Sequence, residues 1–276
     1  MYKIKSSDDL KKIILILSLL AISSTAIIFT NKTSTSQSAS DKRIYTVIID
    51  PGHGGKDPGT TGLSGVYEKN IVLPIGIKLK NYLSKEYDDM KIVMTREKDE
   101  FIELKKRGQT ANEQGGNLFV SIHCNARKSE ENDKSGFEIY LLDLARIDEA
   151  RDITLEENKF IAFNEKIDSS FISKNKILAS LYQQAYLGYS ERFSSIIETE
   201  LIKGTRLPSR GLFQAGFWVL LAPSMPSILV ECGYLSNKTD EEYLKSEKGQ
   251  DEIAKSIFKA VRYFKMDYDF ENSLMD

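Results

Sequence analysis

The feature that most restricts the fold of this chain is a near-continuous run of apolar and β-branched residues at positions 44–50 (IYTVIID). Such a run is typical of a strand covered on both faces, as in the sheets of α/β proteins. Similar short runs predict strands at residues 90–95, 118–123, 136–142, 216–222 and 228–232. Apolar residues at helical spacing predict helices at residues 70–83 (with Asn70 as N-cap) and 251–264. A polar helix is predicted at about residues 104–114. The alternation predicts one α/β domain with a mostly parallel mixed sheet of about six strands, flanked by helices.

The N-terminal part of the chain differs in composition from the rest. Four lysines precede a mostly apolar run at residues 13–29, which offers only a poor cleavage site (SSTA). This order predicts an exported protein of the periplasm or cell envelope, with residues 1–29 as a signal peptide or an inner-membrane anchor. The alternative is a buried helix at the start of a cytosolic fold. Small polar residues at 30–43 predict a flexible linker, followed by the folded domain at 44–266 and a tail at 267–276.

Charge and cysteine content exclude several functions. The net charge of −2 gives no basic surface for nucleic acid, so no nucleic-acid partner is predicted. Two cysteines, Cys124 and Cys232, are too few for a disulfide framework. We expect them to be buried and inert, facing away from the histidine that precedes Cys124, and a disulfide between them is the alternative.

Both histidines of the chain follow predicted strands, which indicates a metal site. His53 and His123 each lie just after an apolar run, and the sites of open α/β sheets are assembled where strands end. A catalytic zinc ion takes three protein ligands, so a third ligand is needed. Glu68 lies close enough in the chain to reach the same ion. The alternative for Glu68 is a first-turn glutamate favoured by the helix dipole.

Glu231 is the candidate general base. It ends the apolar run that begins at Ser227, where a buried carboxylate is costly unless it is used or paired. Hydrolysis at a metal site needs a group that takes the proton from the attacking water. The alternative is a glutamate in a salt bridge at a sheet edge.

Six sequence motifs occur in the order found in a known family. They are IIDPGHGGKDPG, YEKN, MTREKDEFIELKKR, LFVSIHCNA, GFEIYLL and MPSILVECGYLSN. Together they resemble the zinc-dependent N-acetylmuramoyl-L-alanine amidases of the amidase-3 type over roughly residues 44–265. The resemblance implies one Zn²⁺ per chain held by His53, Glu68 and His123, with Glu231 as the catalytic glutamate. The implied substrate is peptidoglycan, cleaved at the amide between N-acetylmuramic acid and L-alanine.

Four further residues near the motifs are candidates for orienting ligands or contacting substrate: Asp50, Arg96, Asn125 and Glu138. Arg96 is expected to pair with a carboxylate. Each of the four has a structural alternative, and Asp50 in particular can simply begin the turn into Pro51 and Gly52.

A helical insertion interrupts the α/β pattern at about residues 143–203. It resembles, more loosely, a segment of the division-associated amidases of Gram-negative bacteria, in which a helix covers the zinc site until an activator protein displaces it. We therefore hypothesise an autoinhibitory part at residues 145–180, in which Glu156 or Glu157 approaches the metal. The alternative is a helical segment at the periphery of the fold.

Two other functions compete with the amidase interpretation. A zinc peptidase that cleaves wall stem peptides would use a similar ligand set, and the site would also suit other first-row metals. A catalytically silent wall-binding regulator would need to have lost a ligand or the base, yet all four residues are present.

Overall fold

The computed structural model describes residues 43–126, 134–146 and 169–274, which belong to one compact unit. These residues contain six strands: β1 (Thr46–Pro51), β2 (Lys91–Met94), β3 (Leu118–Asn125), β4 (Phe137–Leu142), β5 (Ser209–Ala215) and β6 (Ser227–Tyr234). They also contain five α-helices: α1 (Lys69–Glu86), α2 (Leu104–Glu113), α3 (Ser169–Gly204), α4 (Lys238–Lys245) and α5 (Glu247–Ser273). The predicted α/β architecture is confirmed.

The strands form one mixed sheet in the order β2-β1-β3-β6-β4-β5. Strands β2, β1, β3 and β6 are parallel, whereas β4 pairs antiparallel with β6, and β5 is parallel to β4. The carboxyl ends of β1, β3 and β6 therefore meet at one edge of the sheet. We call this edge the carboxyl edge, and the opposite one the amino edge.

Both faces of the sheet are covered, which explains the continuous apolar runs. Alternate strand residues such as Ile49 and Val120 pack against α1, α3 and α5 in the larger apolar cluster. Their neighbours Ile48 and Phe119 point to the other face and pack with α2 and residues 217–225. The strands could not present a polar face to water without losing one of these two cores.

One strand prediction and one cap prediction are wrong. Residues 216–222 are not a strand, because Trp218–Leu220 form a 3₁₀ turn whose apolar side chains fill the second core. The strand is β5, where burial alternates in the way typical of an edge strand with one covered face. Helix α1 begins at Lys69, so Asn70 is not its cap, and Glu68 stands at that position without capping the helix.

Cys124 and Cys232 are free and buried in the larger apolar cluster, on the face opposite His123, as expected. Burial raises the pKa of both thiols well above the usual range, which keeps them protonated.

The insertion contains no strand in the part that the structure describes, and its C-terminal part is α3. Residues 147–168, with Glu156 and Glu157, lie outside the described residues, as do residues 1–42. None of the described helices is long and apolar enough to cross a membrane.

Candidate metal centre

His53 is placed by an unusual backbone conformation just after β1. Its φ angle is +58°, and it is the only non-glycine residue with positive φ in the described ranges. A non-glycine residue in this region carries strain, and such strain is concentrated at functional sites. The His53 Nδ1 atom lies 2.9 Å from Asp57 Oδ2, which fixes the ring. The other ring nitrogen, Nε2, lies 3.1 Å from Glu68 Oε2.

Glu68 joins the glycine-rich loop to β3. Its carboxylate is completely buried, and Oε1 lies 3.1 Å from His123 Nδ1. The same oxygen accepts a hydrogen bond of 2.8 Å from the Cys124 amide, while Oε2 accepts one of 3.0 Å from the Thr60 amide. Two backbone amides therefore orient this carboxylate toward the two histidines.

His53, Glu68 and His123 together form a group that can hold a metal ion. Each contributes one ligand atom, all within 4.8 Å of one another, and all three side chains are buried. The imidazole rings meet edge to face with their centroids 4.8 Å apart. The structure brings together the three residues that the sequence analysis named as ligands.

Two buried arginines hold the backbone that carries His53. Arg107 donates to the carbonyl oxygen of His53 at 2.7 Å and to that of Pro51 at 2.9 Å. Arg96 donates to the carbonyls of Pro51 and Gly52 at 3.0 and 2.7 Å. Four hydrogen bonds from Arg96 are donated to backbone carbonyl oxygens. Arg96 therefore holds the loop in place, whereas the sequence predicted that it would pair with a carboxylate. Burial lowers the pKa of Arg96 to about 10, which still leaves it charged at neutral pH.

Asp50 is the buried carboxylate partner of Arg107. It accepts hydrogen bonds from Arg107 Nη1 at 2.7 Å, Thr95 Oγ1 at 2.6 Å and Ser121 Oγ at 2.8 Å. Burial by itself would raise the pKa of Asp50, but the positive charge of Arg107 and the three hydrogen bonds more than offset it, so the pKa lies below its usual value. Asp50 therefore acts on the site through Arg107. Its contacts go beyond the alternative role of only beginning the turn into Pro51 and Gly52.

Glu231 lies in the same row of the sheet as His123. In the register of β3 and β6 the two are direct partners, and Glu138 is the partner of Glu231 on β4. Directly opposed residues of neighbouring strands point to the same face, so these three side chains lie side by side. Glu231 is 1% exposed. A buried carboxylate beside the metal-binding group is suited to proton transfer.

Glu138 anchors a polar network next to Glu231. It accepts hydrogen bonds from Asn125 Nδ2 at 3.0 Å, Tyr140 OH at 2.7 Å and Tyr234 OH at 2.6 Å. Burial raises the pKa of Tyr140, and the charge of Glu138 raises it further, so the phenol remains a donor. Glu138 and Asn125, both predicted to orient ligands or to contact substrate, are thus hydrogen-bonded to each other.

Several residues of this site were not predicted from the sequence. Asp57, which orients His53, lies four residues after it in the same quoted motif. Arg107 is the last residue of the motif that contains Arg96, yet nothing in its spacing shows that it reaches Asp50 across the sheet. Tyr140 could have been found from strand alternation, because it follows Glu138 by two residues.

An α/β domain with a two-histidine, one-glutamate group at the carboxyl edge defines a class of proteins that can bind a metal ion beside a buried glutamate. The comparisons identify the family within this class. The family described as Amidase_3, N-acetylmuramoyl-L-alanine amidase, matches residues 47–263, and the chain belongs to this family. The resemblance found in the sequence is therefore confirmed.

Individual relatives agree with the family assignment. N-acetylmuramoyl-L-alanine amidase AmiC of Escherichia coli O6:H1 is 33% identical over 230 residues, which is 80% of this chain and 53% of AmiC. A putative N-acetylmuramoyl-L-alanine amidase of Buchnera aphidicola (subsp. Acyrthosiphon pisum) is 31% identical over 79% of this chain and 94% of its own. The crystal structure of an N-acetylmuramoyl-L-alanine amidase from Clostridium difficile 630 matches with a TM-score of 0.61 at 31% identity, covering 80% of this chain and 97% of that one. The chain thus spans about half the length of AmiC.

Proposed function

We propose that this protein hydrolyses the amide bond between the lactyl group of N-acetylmuramic acid and L-alanine in peptidoglycan. The observation that carries the proposal is the pairing of Glu231 with His123 in the sheet, which puts a buried carboxylate beside the His53–Glu68–His123 group. Family membership supplies the substrate class, and the glutamate beside the ligand group supplies the hydrolytic chemistry.

The ligand group fits zinc. Two imidazoles and one carboxylate are a ligand set of catalytic zinc sites, which keep a further coordination position open. A bound zinc ion would supply Lewis-acid chemistry, polarising the amide carbonyl and making water a better nucleophile at neutral pH. Asp57 and the amides of Thr60 and Cys124 would hold the ligands in place.

Glu231 would move the proton in this reaction. Its carboxylate would accept a proton from the attacking water and deliver that proton to the alanine nitrogen as the amide bond breaks. Glu231 is 1% exposed, and Glu138 is its direct partner on the neighbouring strand β4. The network around Glu138 would keep that neighbour in a fixed position.

The test is digestion of purified peptidoglycan with product analysis by mass spectrometry. We expect free stem peptides with a new L-alanine amino terminus, and a loss of about 10²- to 10⁴-fold in Glu231→Gln with zinc content unchanged. Glu247→Gln, at a glutamate that is 91% exposed, is the matched control. Cleavage within the stem peptide would assign a zinc peptidase, and an inactive, metal-free wild-type protein would indicate a wall-binding protein.

We also propose that the protein is exported to the cell envelope and acts there in wall remodelling or daughter-cell separation. The basic and then apolar start of the chain supports export, because this order is typical of signal peptides and N-terminal anchors. Fractionation of cells that express the full chain, with mass analysis of its N-terminus, tests both the location and the choice between signal peptide and anchor.

The autoinhibitory role of residues 145–180 is a further proposal. Strand β4 runs antiparallel to β6, so the insertion leaves the sheet at the amino edge, away from the metal-binding group. Residues 147–168 can span at most about 75 Å when extended, enough to reach the carboxyl edge and return. Deletion of residues 150–178 should raise the basal activity, and an activator protein should do the same to the wild type. Unchanged activity after deletion would contradict this role.

A further inference from the structure

Arg210 adds a fourth side chain to the row formed by His123, Glu231 and Glu138. The pairing of β4 and β5 shifts by one residue next to Glu138, so that Arg210 and Gly211 of β5 together stand opposite this single residue. Gly211 has a φ of +112°, which residues with a side chain rarely adopt. A β-bulge of this kind turns a side chain out of the usual alternation, and Arg210 Nε lies 3.4 Å from Glu138 Oε1. Arg210 therefore lies on the face of the sheet that carries the metal-binding group.

The contacts of Arg210 differ from those of the arginines that hold the loop after β1. The side chain of Arg107 is 6% exposed and donates to buried carboxylate and carbonyl oxygens, whereas the side chain of Arg210 is 37% exposed. Within the described residues, Arg210 has Glu138 as its one ion-pair partner, through Nε, and its terminal nitrogens Nη1 and Nη2 make no hydrogen bond. The N–H groups of these two nitrogens are thus left for a ligand from solution.

Glu138 does not need Arg210 to satisfy its carboxylate. Tyr234 donates to Oε1 at 2.6 Å, and Asn125 and Tyr140 donate to Oε2 at 3.0 and 2.7 Å. A charge-assisted hydrogen bond between a guanidinium and a carboxylate is usually about 2.7–2.9 Å long, so the 3.4 Å between Arg210 and Glu138 is a loose contact. A further anionic group explains the position of this arginine better than its ion pair with Glu138 alone.

The leaving group of the proposed reaction departs on the side of the row where Arg210 lies. In that reaction Glu231 delivers a proton to the alanine nitrogen, so the stem peptide would extend from Glu231 over Glu138 toward Arg210. Neighbouring strands are about 4.8 Å apart, which puts the backbone of Arg210 about 10 Å from that of Glu231. The path along a peptide from the alanine nitrogen to the α-carboxyl of the next residue covers about 7 Å. The Arg210 side chain, which reaches back from β5 to Glu138, is therefore within reach of that carboxyl group.

The second residue of the stem peptide offers an anion that suits this arginine. In peptidoglycan this residue is a glutamate joined to the next one through its side-chain carboxyl, so its α-carboxyl is either a free carboxylate or, after amidation, a neutral amide. Arginine binds a carboxylate through two parallel N–H bonds. Glu138 and Glu231 are acidic, so within the row Arg210 is the group whose permanent positive charge can attract an anion.

We propose that Arg210 binds the α-carboxylate of the second stem-peptide residue, and that it favours peptides in which this group is free over peptides in which it is amidated. The proposal rests on the proposed amidase function and names the part of the substrate that is recognised beyond Glu231. Arg210 binds the substrate away from the scissile amide, so it sets specificity and transfers no proton.

The first experiment is calorimetric binding of two product dipeptides, L-alanyl-D-glutamate and L-alanyl-D-isoglutamine, to the zinc-loaded full chain. The two differ only at the α-carboxyl, which is a carboxylate in the first and an amide in the second. We expect the wild type to bind the acid about tenfold or more tightly than the amide, and Arg210→Gln to lose this preference. Arg210→Lys keeps the charge without the planar fork and should keep part of the preference. Arg192→Gln, at an arginine that is also 37% exposed and paired with a glutamate, is the matched control and should bind as the wild type does.

Two results of this binding experiment would overturn the proposal. One is equal affinity of the wild type for the acid and the amide, which would show that the α-carboxylate is not recognised. The other is a preference for the acid that survives in Arg210→Gln, which would show that another group binds the carboxylate.

Cleavage of the corresponding muramyl dipeptides separates substrate recognition from a structural role. Arg210→Gln should raise the KM for the acid by about tenfold or more, and should leave its kcat and both constants for the amide within about twofold. An equal loss on both substrates would show that Arg210 only holds Glu138 in place, which overturns the proposal. A wild type that prefers the acid in calorimetry but releases no peptide from either substrate would contradict the amidase function alone, and the carboxylate site at Arg210 would stand.

Discussion

Replacing Arg107 by methionine tests whether the buried pair of Asp50 and Arg107 organises the site. Methionine keeps much of the side-chain volume but removes the charge and all hydrogen bonds of the guanidinium. Asp50 is completely buried and would lose the guanidinium that lies 2.7 Å from it. The carbonyls of His53 and Pro51 would each lose the hydrogen bond that Arg107 donates. Removal of one partner of a buried ion pair costs about 3–5 kcal/mol.

The pH dependence of this loss has a definite sign. In the wild type the pKa of Asp50 is lowered in the folded state, so its contribution is present above the unfolded pKa of about 3.9 and is lost as the pH falls through the lower folded pKa. In the variant, burial without Arg107 raises the folded pKa instead, so the variant gains stability as the pH falls. The difference between the two proteins should be largest near neutral pH and should shrink as the solution is acidified toward about pH 3.

The assay is urea unfolding of both proteins at several pH values. The free energy of unfolding is obtained from the urea midpoint, provided that the dependence on urea concentration (the m-value) is the same for both proteins. The matched control is Arg262→Met, which removes a half-exposed pair with Glu86 at 3.8 Å and should cost at most about 1 kcal/mol. In a double-mutant cycle with Asp50→Asn, the two changes should be non-additive by more than about 1 kcal/mol. A loss no larger than that of the control, or a loss independent of pH, would refute the reasoning.

Three other predictions concern the site and the fold. Asp57→Asn should weaken zinc binding by about 10- to 100-fold in calorimetry, because His53 Nδ1 loses its carboxylate partner; unchanged affinity would show that the ring is held by other contacts. Gly52→Ala should abolish zinc binding, since a Cβ at this position would overlap the His123 ring, and normal metal content in the purified variant would contradict this. Asn237→Ala should lower the unfolding free energy by about 1 kcal/mol without changing zinc affinity, because the side chain caps α4; an unchanged urea midpoint would argue against the cap.

Much of the fold could be predicted because its elements are strongly patterned. The buried strands β1 and β3 and the amphipathic face of α1 follow directly from apolar periodicity. Periodicity failed at residues 216–222, where an apolar run fills a core without being a strand. It also failed to show β5, whose half-exposed residues carry a weak signal, and α4, which is short and mostly polar.

The metal-binding residues and the general base of the candidate site could be predicted from the sequence. Only two histidines were available, both at strand ends, and the spacing of Glu68 and Glu231 within recognisable motifs pointed to the same place. Chemistry of this kind can be read from a sequence because so few residue types bind metal ions or transfer protons.

The residues that hold this site in place are brought together only by the tertiary structure. Asp50, Thr95, Arg107 and Ser121 come from four separate segments, and they meet only because β1, β2 and β3 lie side by side with α2 against them. The row of His123, Glu231 and Glu138 likewise depends on the register of three strands, one of them antiparallel. Strand order and register result from the packing of both cores at once, which no local pattern in the chain specifies.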